Sequence, residues 1–419
     1  MSSCTPDPVA IPSHSTASAS PSWLDRFLRH QAVRTLRGIR HGQIVLRDSI
    51  GSVTLGEAGT DELRCTLDVH SLSLYRTLIS SGSLGAAEAF MDGVWSSNDL
   101  TTLVRILSRN TSQLDAMDSG LSRIAGWFSR MGHWLSRNTQ DGSRKNIAAH
   151  YDLSNSLFQL FLDPTMMYSS AVFEEETQTL ESASIAKLDR ICRSLDLQPS
   201  DHLVEIGTGW GGMALHAAKN YGCRVTTTTI SKEQHDLAAK RIAEAGLQNR
   251  VTLLLTDYRE MVGEYDKLVS VEMIEAVGDE FLPTYFAACD RLLKPGGRML
   301  VQAITMPDQR YASYLKTVDF IQKYIFPGGC LPSIGAMQSA VGASTSLRLT
   351  GLFEFAESYA MTLQHWRARF FQRLDDVRAL GFDDRFIRMW DYYLCYCEGA
   401  FRERAVGVSH LLWEKVGYP

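Results

Sequence analysis

The chain has 419 residues, 45% hydrophobic and 21% charged, with a formal net charge of −5. That length is too great for one ordinary core and the balance is that of a soluble globular protein, so two domains are expected. No apolar run approaches the ~20 residues that span a bilayer, and the first residues lack the charged-then-apolar pattern of a secretory signal, so any membrane contact is expected to be peripheral.

Residues 1–22 are rich in Ser, Ala and Pro and read as a disordered leader. Residues 23–108 read as a small α+β domain, with a helix over about 23–38, strands near 43–48, 52–56 and 63–69, and then helices. Between Trp23 and Arg47 six arginines (26, 29, 34, 37, 40, 47) face one acid, Asp25. Such a basic patch on an acidic protein suits an anionic surface, lipid or nucleic acid. Gly82, Gly85 and Gly93 punctuate the next helical stretch, and Gly93 is placed to end a helix near Met91.

Residues 109–143 read as a linker that contains the amphipathic segment GLSRIAGWFSRMGHWLSR. At helical spacing Leu121, Ile124, Trp127, Phe128, Met131, Trp134 and Leu135 share one arc, and Arg123, Arg130 and Arg137 line its rim. Tryptophan and arginine beside an apolar face suit a lipid interface; the plainer alternative is a spacer helix packed between domains. This helix favours lipid over nucleic acid as the partner. The eight cysteines are scattered without zinc-site spacing, which predicts free thiols in a reducing cytosol and no metal.

From residue 144 to the C-terminus strands alternate with helices: HLVEIG (202–207), RVTTTTI (224–230), VTLLLTD (251–257), KLVSVEM (267–273) and GRMLVQAI (297–304). Apolar, β-branched strands at this spacing predict an α/β domain with a parallel sheet covered on both faces. The first strand runs into Glu205, Ile206, Gly207, Thr208, Gly209, Trp210, Gly211 and Gly212. Glycine there clears the strand-to-helix turn where ligands bind at the carboxyl ends of strands. The third-glycine spacing departs from the dinucleotide fingerprint, and the preceding acid, Glu205, is placed to meet a cationic methionine end. S-adenosylmethionine is therefore favoured over a nicotinamide cofactor, in a Rossmann-like sheet of the class I methyltransferase type. Strand two ends in Thr229 and Ser231 rather than an acid, so Gln234 is the expected ribose partner, and Asp257 and Tyr258 lie where adenine would.

The segments HYDLSNSLFQLFLDPTMMYSSAVF (150–173), VEIGTGWGG (204–212), TISKEQ (229–234), SVEMIEAVG (270–278), KYIFPGGCLPS (323–333) and YYLCYCEGAF (392–401) resemble the cyclopropane-fatty-acyl-phospholipid synthase family over nearly the whole chain. The resemblance implies a lipid-binding N-terminal domain and methyl transfer to a cis double bond of a phospholipid acyl chain. A cytoplasmic enzyme at the inner membrane face is expected, the basic patches favouring anionic lipid, with a homodimer as an open expectation. Tyr168 and Ser169 join the expected cofactor site. Tyr168, Phe173, Tyr311, Tyr324, Phe326 and Trp366 are candidate walls around a carbocation, which aromatic faces stabilise.

Ring closure needs a proton to leave the added methyl. The resemblance implies a bound bicarbonate as acceptor, held by Glu275 and Tyr359, with Ser170, Gln302 and the backbone of Ile304 as further ligands. Many members have cysteine at Ser170, histidine at Gln302 and histidine at Ala276; neither serine nor glutamine relays a proton as imidazole does. A plant-like branch resembles this pattern, and a methyl-branching enzyme is the nearest alternative product reading. Cys397 matches a family cysteine, but methylating an alkene needs no covalent intermediate, and a buried thiol on a helix over 386–401 is the plainer reading. A catalytically silent lipid-binding protein is the reading of another class, against which the glycine loop, Gln234 and Glu275 argue.

Overall fold

The computed structural model describes residues 21–57, 63–111 and 154–417. The amphipathic segment 121–137, residues 1–20 of the leader and the start of the 150–173 motif lie outside them. The chain divides into two compact units, one of residues 1–132 with 366–405, the other of residues 133–365 with 406–419. The packing places the break at 132/133, where the sequence reading has a linker, and it clusters residues 366–405 with the N-terminal segment.

In the first unit α1 (Trp23–Leu36) precedes β1 (Gly42–Asp48), β2 (Gly51–Glu57) and β3 (Arg64–Val69), then α2 (Ser73–Met91), β4 (Trp95–Ser97) and α3 (Leu100–Arg109). Ser22 and Asp25 form a capping box that starts α1. The sheet order is β2-β1-β3-β4, with β1 and β3 parallel. Ile44, Leu46, Leu55, Cys65 and Leu67 are buried on the sheet, and Leu103, Val104 and Ile106 of α3 are buried with them. The C-terminal helix α13 (Asp384–Arg402) packs on α3, and a Cβ at Gly399 would lie 2.6 Å from Val104 Cγ1. Arg105 and Arg109 both bind Glu403, at 2.7 and 2.5 Å. That sequence-distant pairing is what draws residues 366–405 into this unit.

The second unit holds the alternating strands and helices: α4 (Asn155–Phe161), α5 (Leu180–Ser194), β5 (His202–Ile206), α6 (Gly212–His216), β6 (Arg224–Thr229), α7 (Lys232–Glu244), β7 (Val251–Leu255), β8 (Tyr265–Val271), α8 (Leu282–Leu292) and β9 (Leu293–Thr305). There follow α9 (Asp308–Tyr314), α10 (Ile334–Ser344), β10 (Leu347–Glu354), α11 (Ala356–Gln372, which enters the first unit at Trp366) and β11 (Gly407–Lys415); α12 (Leu374–Ala379) belongs to the first unit. The seven-stranded sheet has the order β10-β11-β9-β8-β5-β6-β7. Five strands, β9-β8-β5-β6-β7, are parallel, as the apolar runs predict. The two strands at the other edge, β11 and β10, are antiparallel additions that the sequence reading did not contain.

Both faces of the sheet are covered, because neighbouring residues of each strand enter different cores. Val204, Leu268 and Val301 join Tyr285, Phe286 and Met337, whereas Leu203, Val269 and Leu300 join Ile191, Met213 and Ala217. Residues one apart on a strand point to opposite faces. β6 is a run of four buried threonines, each hydroxyl with a partner: His202 for Thr226, Glu205 for Thr227, the Thr256 carbonyl for Thr228 and Gln234 for Thr229. Among the described residues no helix is long and apolar enough to cross a membrane.

Candidate active site

β5 delivers the chain to a turn in which Gly207, Gly209 and Gly211 have φ of +96°, +51° and +86°. A side chain is disfavoured in this left-handed region. A Cβ at Gly209 would meet nothing within 4 Å, so it would project into open space beside the carboxyl ends of β5 and β6. That is the form of a cradle kept clear for a ligand. Trp210 is buried, donates to Asn155 Oδ1 at 2.8 Å and packs on Phe158 with ring centroids 4.8 Å apart. It is a wall anchor for the turn, and its ring faces the protein interior.

The other expected cofactor residues gather at the same sheet edge. Thr208 bonds Thr227, which donates to the buried Glu205 at 2.6 Å. Gln234 accepts from Thr229 through its carbonyl at 2.9 Å, which orients the amide. Ser231 caps α7 by accepting from Gln234 N. Asp257 grips Arg259 with both carboxylate oxygens, at 2.8 and 2.6 Å, so its side chain is committed. Tyr258 is partly buried and lies edge-on to Tyr285. Tyr168 packs against Phe158, Phe161 and Phe326. Ser169 is buried and accepts from Lys187 Nζ at 2.8 Å.

Lys187 is a residue that the sequence reading missed. It is fully buried on α5, among Leu180, Ala183, Leu188 and Ile191. Burial lowers its pKa to about 8, against the pull of Glu272, Asp163 and Glu205. Burial likewise pushes Glu205 up to about 8, opposed by Thr227 and Lys187. A lysine on the apolar stripe of a helix was the available signal, since such a residue is seldom buried unless it is paired.

Beyond the cradle, the expected catalytic residues split into two groups. Glu275, on a 3-10 turn after β8, accepts from Ile304 N at 2.6 Å through Oε1, while its buried Oε2 has no partner. Its carbonyl accepts from Cys330 N at 2.8 Å, which ties the KYIFPGGCLPS segment to this turn. Tyr359 does not join Glu275. Its hydroxyl donates to Glu272 Oε2 at 2.7 Å, and Oε1 of the same carboxylate accepts from Ser170 N at 2.9 Å and Gln302 Nε2 at 2.7 Å. Glu272 is therefore the acid that Ser170, Gln302 and Tyr359 surround, and it was missing from the sequence reading although it stands in the motif SVEMIEAVG. Burial raises both carboxylates; Glu275 reaches about 8, with the nearby Glu272 charge adding to its shift.

A further residue without a local signal is His410 on β11. It faces Gln302 across the β11–β9 pairing, with Nε2 2.9 Å from Gln302 Oε1. Burial drives its pKa well below the ordinary histidine value, so it is neutral and donates through Nε2. That bond fixes the amide orientation and aims Gln302 Nε2 at Glu272.

The implied bicarbonate does not fit these residues. Ser170 Oγ donates to the Ala171 carbonyl, and both halves of the Gln302 amide are engaged. Ser170 N and Tyr359 serve Glu272, and Ile304 N serves Glu275. The expected anion-binding donors are spent on carboxylates of the chain itself. Cys397 lies on α13 in the first unit, half-buried, and is not part of this cluster. Trp366 also belongs to the first unit, whereas Phe173 stacks on His365 in the second.

A glycine cradle at the carboxyl edge of a mostly parallel seven-stranded sheet, with an acid ending its first strand, defines an S-adenosylmethionine-dependent methyltransferase of class I fold. The sequence profile of the mycolic acid cyclopropane synthetase family matches residues 138–411, and the chain belongs to that family. It is 39% identical to the tuberculostearic acid methyltransferase of Mycobacterium tuberculosis, over 99% of this chain and 96% of that one. It is 38% identical to the cyclopropane-fatty-acyl-phospholipid synthase of Escherichia coli strain K12, over 83% of this chain and 86% of that one. Among solved structures, a mycolic acid cyclopropane synthase complexed with SAH and CTAB superposes with a TM-score of 0.59 at 32% identity, covering 65% of this chain and 98% of that one.

Proposed function

We propose that the protein transfers the methyl carbon of S-adenosylmethionine to the cis double bond of an unsaturated phospholipid acyl chain. The observation that carries this reading is the half-buried acid Glu272 held by the buried Tyr359, Ser170 and Gln302, in the same unit as the glycine cradle. Gly207 to Gly211, Gln234 and Glu205 would hold the S-adenosylmethionine, which supplies an electrophilic sulfonium methyl. The residues around Glu272 then exclude water and hold a base for the proton that the new methyl must lose.

Two products complete such a reaction. A cyclopropane ring is supported by the Escherichia coli relative. A methylene or methyl branch is supported by the mycobacterial relative, which matches nearly the whole chain. Both share the alkylated cation. Lipid mass spectrometry of a host expressing the chain tests the reading: a ring and a methylene branch each add one CH2, and of these two only the ring removes the ozone-reactive double bond.

The substrate reading needs a membrane surface, and α1 supports one. Trp23 and Phe27 are 78% and 51% exposed, and Arg26 and Arg34 are exposed on the same helix and Arg37 at its C-cap. Exposed aromatics beside a row of arginines suit an anionic bilayer interface. The protein is accordingly proposed to act from the cytoplasmic side as a peripheral membrane enzyme.

A further inference from the structure

We propose that Glu272 is the chain's own proton acceptor, standing where the family resemblance places a bicarbonate ion. The inference rests on the alkylation reading above and deepens it.

Four observations converge on this residue. Its carboxylate takes the backbone N–H of Ser170, the amide of Gln302 and the phenol of Tyr359, a planar oxyanion surrounded by three donors. An added bicarbonate would find those donors engaged and the Glu272 carboxylate beside it. Next, Glu272 is held at φ +48°, a left-handed conformation that is costly for a side-chain-bearing residue. Strain of this kind persists where the surroundings over-determine it, and it clusters at functional sites. Third, the donor set is locked: His410 fixes the Gln302 amide, and the Glu272 backbone N–H donates to the Gln302 carbonyl at 2.8 Å. Finally, the buried Lys187 ammonium supplies opposite charge within the same cluster.

The lone pairs show which oxygen is open. Oε1 accepts two hydrogen bonds and Oε2 accepts one, so each carboxylate oxygen having two acceptor sites leaves a vacant one on Oε2. In the reaction, the alkene π pair forms the new C–C bond while the S–CH3 bond breaks with its electrons on sulfur, leaving a carbocation on the chain. A C–H bond of the added methyl then breaks. Its electron pair closes the ring onto the cationic carbon, or forms an exocyclic C=C after a hydride shift, and the proton passes to Oε2 of Glu272. Charge balances without an external anion.

The test compares wild type with Glu272→Gly, a substitution that relieves the left-handed strain and therefore preserves folding. Turnover is measured in carbonate-depleted buffer, with and without added bicarbonate or formate. Wild type is expected to change by less than about twofold. Glu272→Gly is expected to fall by roughly 10² or more and to recover about tenfold when either small carboxylate fills the vacated donors. A wild-type rate that requires bicarbonate overturns the proposal, as does full turnover by Glu272→Gly in depleted buffer. Line broadening of carbon-13 bicarbonate in NMR titrations supplies a readout that does not need activity. Broadening is expected with Glu272→Gly and not with wild type, and the reverse pattern contradicts the assignment. Absence of any alkylated lipid from wild type would sink the function reading instead, leaving this binding result to judge Glu272.

Discussion

The phenol of Tyr359 donates to Glu272, 2.7 Å away, and so arms the acid at the end of β8 rather than Glu275 three residues on. Tyr359→Phe removes one charge-assisted hydrogen bond, worth about 1.5–3 kcal/mol. A drop in kcat of roughly ten- to hundredfold is expected, with S-adenosylmethionine affinity unchanged within about twofold. Calorimetric titration beside steady-state kinetics checks this. Equal losses in affinity and turnover would make Tyr359 a fold residue.

Gly209→Val places a β-branched side chain at φ +51° and into the open space of the cradle. Loss of S-adenosylmethionine binding by at least about a hundredfold is expected, with a melting transition retained. The measurement is calorimetry on the folded variant; near-native affinity would move the cofactor elsewhere.

Glu275 carries a pH signature. Its folded pKa is raised from 4.5 to about 8, so the folded state binds the proton more tightly than the unfolded one. The stability this confers is fully present below about 4.5 and is lost as pH rises through about 8. Glu275→Gln mimics the protonated acid and should keep the bond from Ile304 N. The Tm of the variant relative to wild type should therefore climb between about pH 5 and about pH 9. A difference that is flat with pH would show that Glu275 is ionised in the folded protein. Because glutamine imitates the neutral acid here, turnover should suffer less from Glu275→Gln than from Glu272→Gln.

How much of this was legible in the sequence depends on the range of the signal. The five parallel strands and the glycine turn follow from apolar β-branched runs and residue spacing, which are local. The first three strands of the first unit also fall within a residue or so of their expected places, whereas the short β4 was not expected. β10 and β11 escaped because they pair antiparallel across long stretches of chain. His410 escaped with them, since only the β11–β9 register puts it opposite Gln302. Glu272 was visible but misread: the motif drew attention to Glu275, and nothing local says which acid Tyr359 meets. The clustering of 366–405 with the N-terminal segment rests on contacts nearly three hundred residues apart in sequence, such as Arg105 with Glu403.

Membrane docking is tested on α1. Trp23→Ala combined with Phe27→Ala removes two exposed aromatic side chains. Each contributes on the order of 1.5–3 kcal/mol when fully buried, and less at an interface, so partitioning should weaken by at least about tenfold. Replacing Arg26, Arg34 and Arg37 with Gln should weaken it further on anionic vesicles only, by ~1 kcal/mol per charge, and the effect should shrink in high salt. Vesicle flotation decides; unchanged binding of both folded variants would free α1 of this role.

Methyl transfer with loss of one proton is tested with S-adenosylmethionine bearing a CD3 methyl and vesicles of a monounsaturated phospholipid. Lipid mass spectrometry should show acyl chains heavier by CD2, because the transferred methyl gives up one deuteron whether a ring or a methylene branch results. Retention of the whole CD3 group would contradict the proton-loss step, and no label in the acyl chain would contradict the account as a whole.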